Sequence, residues 1–148
     1  MQPLSSAKRS QGFTLIELMI VVVIATILLS IAVPSYMQQV RQSRRTEAKT
    51  ALLDLAGREE RFYNTGSPPA YSALLSDLGY AVAGPTTNVG NGYYQVTISL
   101  ACTGGAVAPC YTLTAVPITA DQLKDVTCLF FTLTNTGAQT ATNPSCWQ

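Results

Sequence analysis

Glu17 is the residue of this sequence whose placement demands chemistry. It lies in the 21-residue run from Phe13 to Val33, FTLIELMIVVVIATILLSIAV, whose other polar members are Thr14, Thr26 and Ser30. A carboxylate inside such a run in a bilayer costs on the order of 2.5 to 3.5 kcal/mol at the centre, less near an end, and needs a partner. No Lys, Arg or His stands between Phe13 and Val40. Glu17 is therefore either in the headgroup layer, protonated, or paired with a positive group that has to be created. The candidate for the last is an α-amine liberated by cutting the chain just before the apolar run, at the Gly12-Phe13 junction.

Little else in the 148 residues could act chemically. The absence of histidine removes Ser-His-Asp and Cys-His nucleophilic catalysis, the Cys2His2 and HExxH zinc sites and the neutral-pH proton shuttle. After Tyr63 the acids and bases besides tyrosines and cysteines are Asp77, Asp121, Lys124 and Asp125, too few for a convergent active site. Asp121 and Asp125 are hard oxygen ligands, but a calcium ion needs six to eight and no EF-hand pattern is present. The Asp121 to Asp125 run instead reads as an exposed loop held by solvent contacts. Cys102, Cys110, Cys128 and Cys146 lack any CxxC spacing, which argues against zinc and for disulfides in an oxidising compartment. No enzyme, cofactor or metal is expected. A net charge of +1 weighs against nucleic acid as a partner, because phosphate binding depends on clustered Lys and Arg.

The elements that must position these residues follow from pattern. A 21-residue helix is roughly 31 Å long, enough to cross a bilayer's hydrocarbon core. Secretory signals have shorter apolar regions, and Ser30-Ile31-Ala32-Val33-Pro34 matches their cleavage site weakly. Ser35 to Tyr63 continues as an amphipathic helix, with Met37, Val40, Ala48, Ala51, Leu52, Leu55 and Phe62 near helical spacing. Arg44 with Glu47 and Asp54 with Arg58 are candidate surface pairs. The cluster Arg41, Arg44 and Arg45 is a candidate contact for lipid headgroups or for acidic groups of a neighbouring subunit. Asn64 to Gly92 is rich in turn signals, with one short helix expected from Ser72 to Leu78 on Leu74, Leu75 and Leu78. Period-two alternation predicts strands over 93–100, 111–116 and 128–134, joined as an antiparallel meander, followed by a polar tail. The fold class is α+β.

Lys8-Arg9-Ser10-Gln11-Gly12 followed by Phe13-Thr14-Leu15-Ile16-Glu17-Leu18-Met19-Ile20-Val21-Val22 resembles the class III leader and N-terminal segment of type IV prepilins. The resemblance implies residues 1–12 as a leader that a prepilin peptidase removes after Gly12, N-methylation of Phe13, and neutralisation of that amine by Glu17 of a neighbouring subunit during assembly. It further implies 13–34 as transmembrane and filament-core helix, 35–63 as amphipathic helix and 64–148 as a periplasmic domain. Pro34 matches the proline that kinks the pilin helix; Thr26 stands where many members have glycine. Phe62-Tyr63 with Tyr71 is similar to an aromatic pattern of PilE-like pilins. Four cysteines allow three pairings. Cys102 and Cys110 flank a loop that suits a local bridge, and Cys128 with Cys146 would then close the tail, which resembles the disulfide-bounded D-region of pilins. A count of positive charge would hold Arg41, Arg44, Arg45 and Lys49 in the cytoplasm; the leader and the cysteines place that side in the periplasm.

The function so implied is structural. The chain is expected in the inner membrane, then in an extracellular type IV pilus serving adhesion, twitching motility or DNA uptake. Its partners would be other pilins, the prepilin peptidase and the inner-membrane assembly machinery. The alternatives are a pseudopilin of type II secretion, a specialised DNA-uptake pilin and a signal-anchored periplasmic enzyme.

Overall fold

The computed structural model describes residues 12–102 and 108–148. The leader residues Lys8 to Gln11 and the Gly104-Gly105 pair between Cys102 and Cys110 lie outside the described residues. Contacts divide the chain into two units, residues 1–38 and 39–148.

One helix, α1 (Leu15–Thr65), carries residues of both units and runs through Pro34. Proline at this position withholds the N–H that would bond the Ser30 carbonyl. In the first unit the large apolar side chains from Phe13 to Val33 are exposed. The polar ones among them turn inward on their own backbone. Thr26 Oγ1 donates to the carbonyls of Val22 and Val23, and Ser30 Oγ to that of Ile27 at 2.7 Å. Both hydroxyls are thus satisfied without water, as an apolar surrounding requires.

In the second unit the helix buries Ala48, Leu52, Leu55 and Glu59, a stripe at steps of four, three and four. It packs with a five-stranded antiparallel sheet of order β1-β2-β3-β4-β5, comprising β1 (Thr86–Val89), β2 (Tyr94–Ser99), β3 (Thr112–Pro117), β4 (Phe131–Thr134) and β5 (Gln139–Ala141). Tyr94, Val96 and Ile98 of β2, Leu113 and Ala115 of β3, and Phe131 and Leu133 of β4 complete the core, with Leu75 and Leu78 from the connecting region. Each fully buried Leu or Val contributes about 1.5 to 3 kcal/mol.

Several expectations are corrected. Two further strands exist: β1, within the segment read as loop, and β5, within the polar tail. The first two expected strands shift by one residue at each end, and the third ends at Thr134 as expected but starts only at Phe131. No helix forms over 72–78. The segment is a set of turns, in which the Leu78, Gly79 and Tyr80 amides donate to the carbonyls of Leu75, Ser76 and Leu75, and Leu74 is exposed while Leu75 and Leu78 are buried. The β1–β2 turn keeps positive φ at Gly90, Asn91 and Gly92 (61°, 53° and 84°). A Cβ at Gly90 would also lie 3.0 Å from Glu47 Oε2, so both backbone and space call for glycine there.

Candidate functional site

At the N-terminal end the structure brings together Phe13, Thr14 and Glu17. Helix α1 starts at Leu15, so Thr14 is the capping residue, and its Oγ1 accepts the Glu17 amide at 3.2 Å. Glu17 is then the third residue of the first turn, where the unpaired amides and the positive end of the helix dipole favour a carboxylate. Thr14-Leu15-Ile16-Glu17 is a helix-start signature that the sequence carried and that hydropathy alone conceals. Phe13, Glu17, Leu18 and Val21 line one shallow groove of about 230 Å³, with Phe13 84% exposed. Around Gly12 nothing lies within 4 Å of where a Cβ would be, so crowding within the chain does not dictate glycine there.

The basic cluster is divided between roles. Arg45 grips Asp125 in a two-pronged pair, Nε to Oδ2 and Nη2 to Oδ1, both at 2.6 Å, with the Asp125 side chain 5% exposed. Arg44 lies 3.5 Å from Asp121 and stacks its guanidinium 3.8 Å over the Tyr93 ring. Lys49 Nζ donates to the carbonyls of Cys146 and Gln148. The 121–125 segment is therefore no solvent-held loop: it forms a 3₁₀ turn (Gln122–Lys124) clamped to the helix, and its two carboxylates face arginines. Gln122, fully buried, reaches Tyr94 Oη at 2.8 Å and Asp125 Oδ2 at 3.2 Å. The expected Arg44 to Glu47 pair is replaced by Arg44 to Asp121, whereas Arg58 and Asp54 pair at 2.8 Å. Among the described residues, the guanidinium groups of Arg41 and Arg61 meet no carboxylate.

A second carboxylate site was not anticipated. Glu59 is completely buried, its Oε2 accepting the Ser72 amide at 3.1 Å while Oε1 meets no donor. Burial pushes its carboxyl up to about 7, with Glu60 and Asp77 adding to the rise and the Ser72 amide opposing it. Glu60 next to it accepts hydrogen bonds from Tyr71 Oη at 3.0 Å and Tyr111 Oη at 3.3 Å, and Asp77 accepts from Ser72 Oγ at 2.6 Å. Tyr71 stacks on Tyr63 and meets Tyr111 edge-on at 4.8 Å. Burial raises the Tyr71 phenol to about 12 and that of Tyr111 further. Two helix carboxyl groups, Glu59 and Glu60, thus fasten residues 71 and 72 to the helix end, and Asp77 braces the segment from within; the donors are hydroxyls and one amide, an arrangement for anchoring rather than turnover.

Disulfides join Cys102 to Cys110 and Cys128 to Cys146, with Cα separations of 5.5 and 5.8 Å. The second ties the 3₁₀ turn Pro144–Trp147 to the segment before β4, and Trp147 packs edge-on against Phe131 at 5.8 Å. The described residues hold no group of three or more His, Cys, Asp or Glu side chains fit for a metal.

Comparisons with known proteins agree with this architecture. Residues 7–33 match the prokaryotic N-terminal methylation motif, and residues 34–146 match the family described as "Type IV minor pilin ComP, DNA uptake sequence receptor". The type IV major pilin protein PilA of Myxococcus xanthus (strain DK1622) is 41% identical over 73 residues, 49% of this chain and 32% of PilA. The fimbrial protein EcpC of Eikenella corrodens is 40% identical over 104 residues, 66% of this chain and 60% of EcpC. The matched stretches thus span less than two thirds of either relative. With a methylation motif, a long helix on an antiparallel sheet, a disulfide at the C-terminal end and a family match over most of its length, this chain belongs to the type IV pilins, in the ComP-like minor pilin family.

Proposed function

We propose that this chain is cut after Gly12 by a prepilin peptidase, N-methylated at Phe13, held in the inner membrane with residues 39–148 in the periplasm, and polymerised by the assembly machinery into a type IV pilus. The observation that carries this reading is Glu17 in the first turn of an exposed apolar helix, next to the residue that becomes the new N-terminus. In a filament core of packed helices a carboxylate is tolerated where a neighbour's amine meets it, so Glu17 sets subunit register and misregistered subunits bury an unpaired charge. The positive end of the helix dipole at the first turn offsets part of the carboxylate's desolvation before assembly. Replacing Glu17 with Ala is expected to leave insertion and cleavage unchanged, the latter read as loss of 12 residues on a gel, while surface pili fall at least tenfold. Normal piliation would overturn the role of Glu17, and normal processing of Gly12→Val would overturn the cleavage site.

DNA capture is a second reading, favoured by the description of the family matched over 34–146. Arg44, Arg45, Lys49 and Arg58 are engaged within the domain, which leaves Arg41, Arg61 and the exposed Lys124, 3.8 Å from Asp121, to meet phosphate. Three phosphate contacts give a slope of log K against log salt of about −2.7 for duplex DNA. Binding measured on the full chain in detergent should therefore weaken gently with salt, and Arg61→Gln should reduce the slope by about 0.9. A steep slope unaffected by Arg61 would show that other cations carry the contact.

A further inference from the structure

The 3₁₀ turn Gln122–Lys124 sends two kinds of side chain away from the helix that holds it. Inward, fully buried Gln122 reaches the Arg41 carbonyl at 3.5 Å and Asp125 is gripped by Arg45, so the turn sits against helix positions 41 to 45. Outward, Leu123 is 50% and Val126 70% exposed, and the Lys124 side chain between them in sequence is 68% exposed. The charge beside these apolar side chains is unbalanced. Arg45 occupies Asp125, and Asp121 is shared by Arg44 and Lys124 at 3.5 and 3.8 Å. Glu47, one helical turn past Arg44, lies against the turn at Gly90 instead. Arg41 Nε is buried with no acceptor, so among the described residues the Arg41 charge is uncompensated.

This surface lies wholly within residues 39–148, and the chain itself leashes it to the apolar run. Arg41 follows Val33 by eight residues and the exposed Tyr36 by five, about 12 Å and about 7.5 Å of helix. Tyrosine favours the membrane–water interface. Once the run is anchored in a bilayer, the turn meets the headgroups as an intramolecular event, at high effective concentration.

We propose that this turn docks on an anionic phospholipid leaflet before assembly, with Leu123 and Val126 entering the acyl boundary while Arg41 and Lys124 meet headgroup phosphates. It rests on the membrane-anchored reading given above and adds a second, reversible contact to the anchor. Apolar side chains flanked by long cations suit an interface of apolar chains under charged headgroups. Duplex DNA offers the phosphates but no apolar layer for Leu123 and Val126.

The test places Val126→Trp and, separately, Ile24→Trp in the full chain, reconstituted in vesicles of phosphatidylcholine with or without phosphatidylglycerol. Bromine on the acyl chains quenches an indole that enters them, and the unaltered chain, with Trp147 alone, gives the background. Ile24→Trp should be quenched in both kinds of vesicle, and Val126→Trp chiefly in those with phosphatidylglycerol. Adding Arg41→Gln or Lys124→Gln to Val126→Trp should lower the ratio of docked to undocked chain about fivefold. Quenching at Ile24 without quenching at Val126 overturns the docking and leaves the anchoring intact, whereas quenching at neither position overturns both. Equal quenching at Val126 without phosphatidylglycerol, or quenching unchanged in the glutamine variants, overturns the docking as well. So does release by inorganic phosphate but not by chloride of equal ionic strength, which points to a free anion, or release by duplex DNA, which points to nucleic acid. A Val126→Trp emission that shifts to the blue with protein density yet escapes the bromine overturns it in favour of a second copy of the chain.

Discussion

Glu17 and Glu59 are carboxylates of one helix that both sit among apolar neighbours, yet they differ in how openly the sequence displays them. Glu17 interrupts an apolar run and is visible at once. Glu59 hides inside Arg58-Glu59-Glu60-Arg61, which reads as a solvated face, although extending the stripe Ala48, Leu52, Leu55 by four more residues lands on it. Its consequence is a definite pH dependence. Glu59 ionises near the ordinary carboxylic value when unfolded but only at about 7 when folded, so the folded state holds a proton that the unfolded state has released. Its neutral form is fully compatible with folding below about pH 4.5, and stability is lost as pH rises from there through 7, by roughly 2 to 3 kcal/mol in all. Thermal melting of Glu59→Gln should therefore lack this decline and exceed the unaltered chain at pH 7.5; parallel pH profiles would show that Glu59 is not the group responsible.

At the scale of elements, long and periodic segments were legible and short ones were not. The apolar run, the Ala48 to Leu55 stripe and the alternation of Tyr94, Val96 and Ile98 each announce their partners. Strands β1 and β5, TTNV and QTA, have no apolar alternation of their own and owe their form to pairing with β2 and β4. The 72–78 segment has helical leucine spacing, but Glu59 and Asp77 draw Ser72 into side-chain hydrogen bonds that hold the chain in turns. Likewise the 121–125 segment reads as solvent-facing because its arginine partners lie about 80 positions away in sequence. The Arg45 to Asp125 fork is the fastening that matters most there, since Asp125 has almost no access to water. Arg45→Ala should lower stability by about 2 to 3 kcal/mol in denaturant unfolding, whereas Lys124→Ala, at an exposed and distant pair, should change it by less than about 0.5 kcal/mol.

For the whole molecule, the division of labour is between a segment that stays apolar on its outside and a domain that keeps its charges occupied. Eleven percent charged residues first reads as a deficit. With Arg44, Arg45, Lys49 and Arg58 engaged within the domain, it is a surface of hydroxyls and amides with few free ions, which would suit close packing among other subunits in the proposed pilus. Crowding of that kind carries a hazard that the outermost strands resolve. Strand edges with unpaired backbone groups invite edge-to-edge aggregation. Here β1 has four residues and β5 three, and the Trp147 indole donates to the outermost strand's Thr140 carbonyl at 2.8 Å, under the staple of Cys128 and Cys146. The short, fastened outermost strands thereby close off the amyloid-like route of joining copies sheet to sheet.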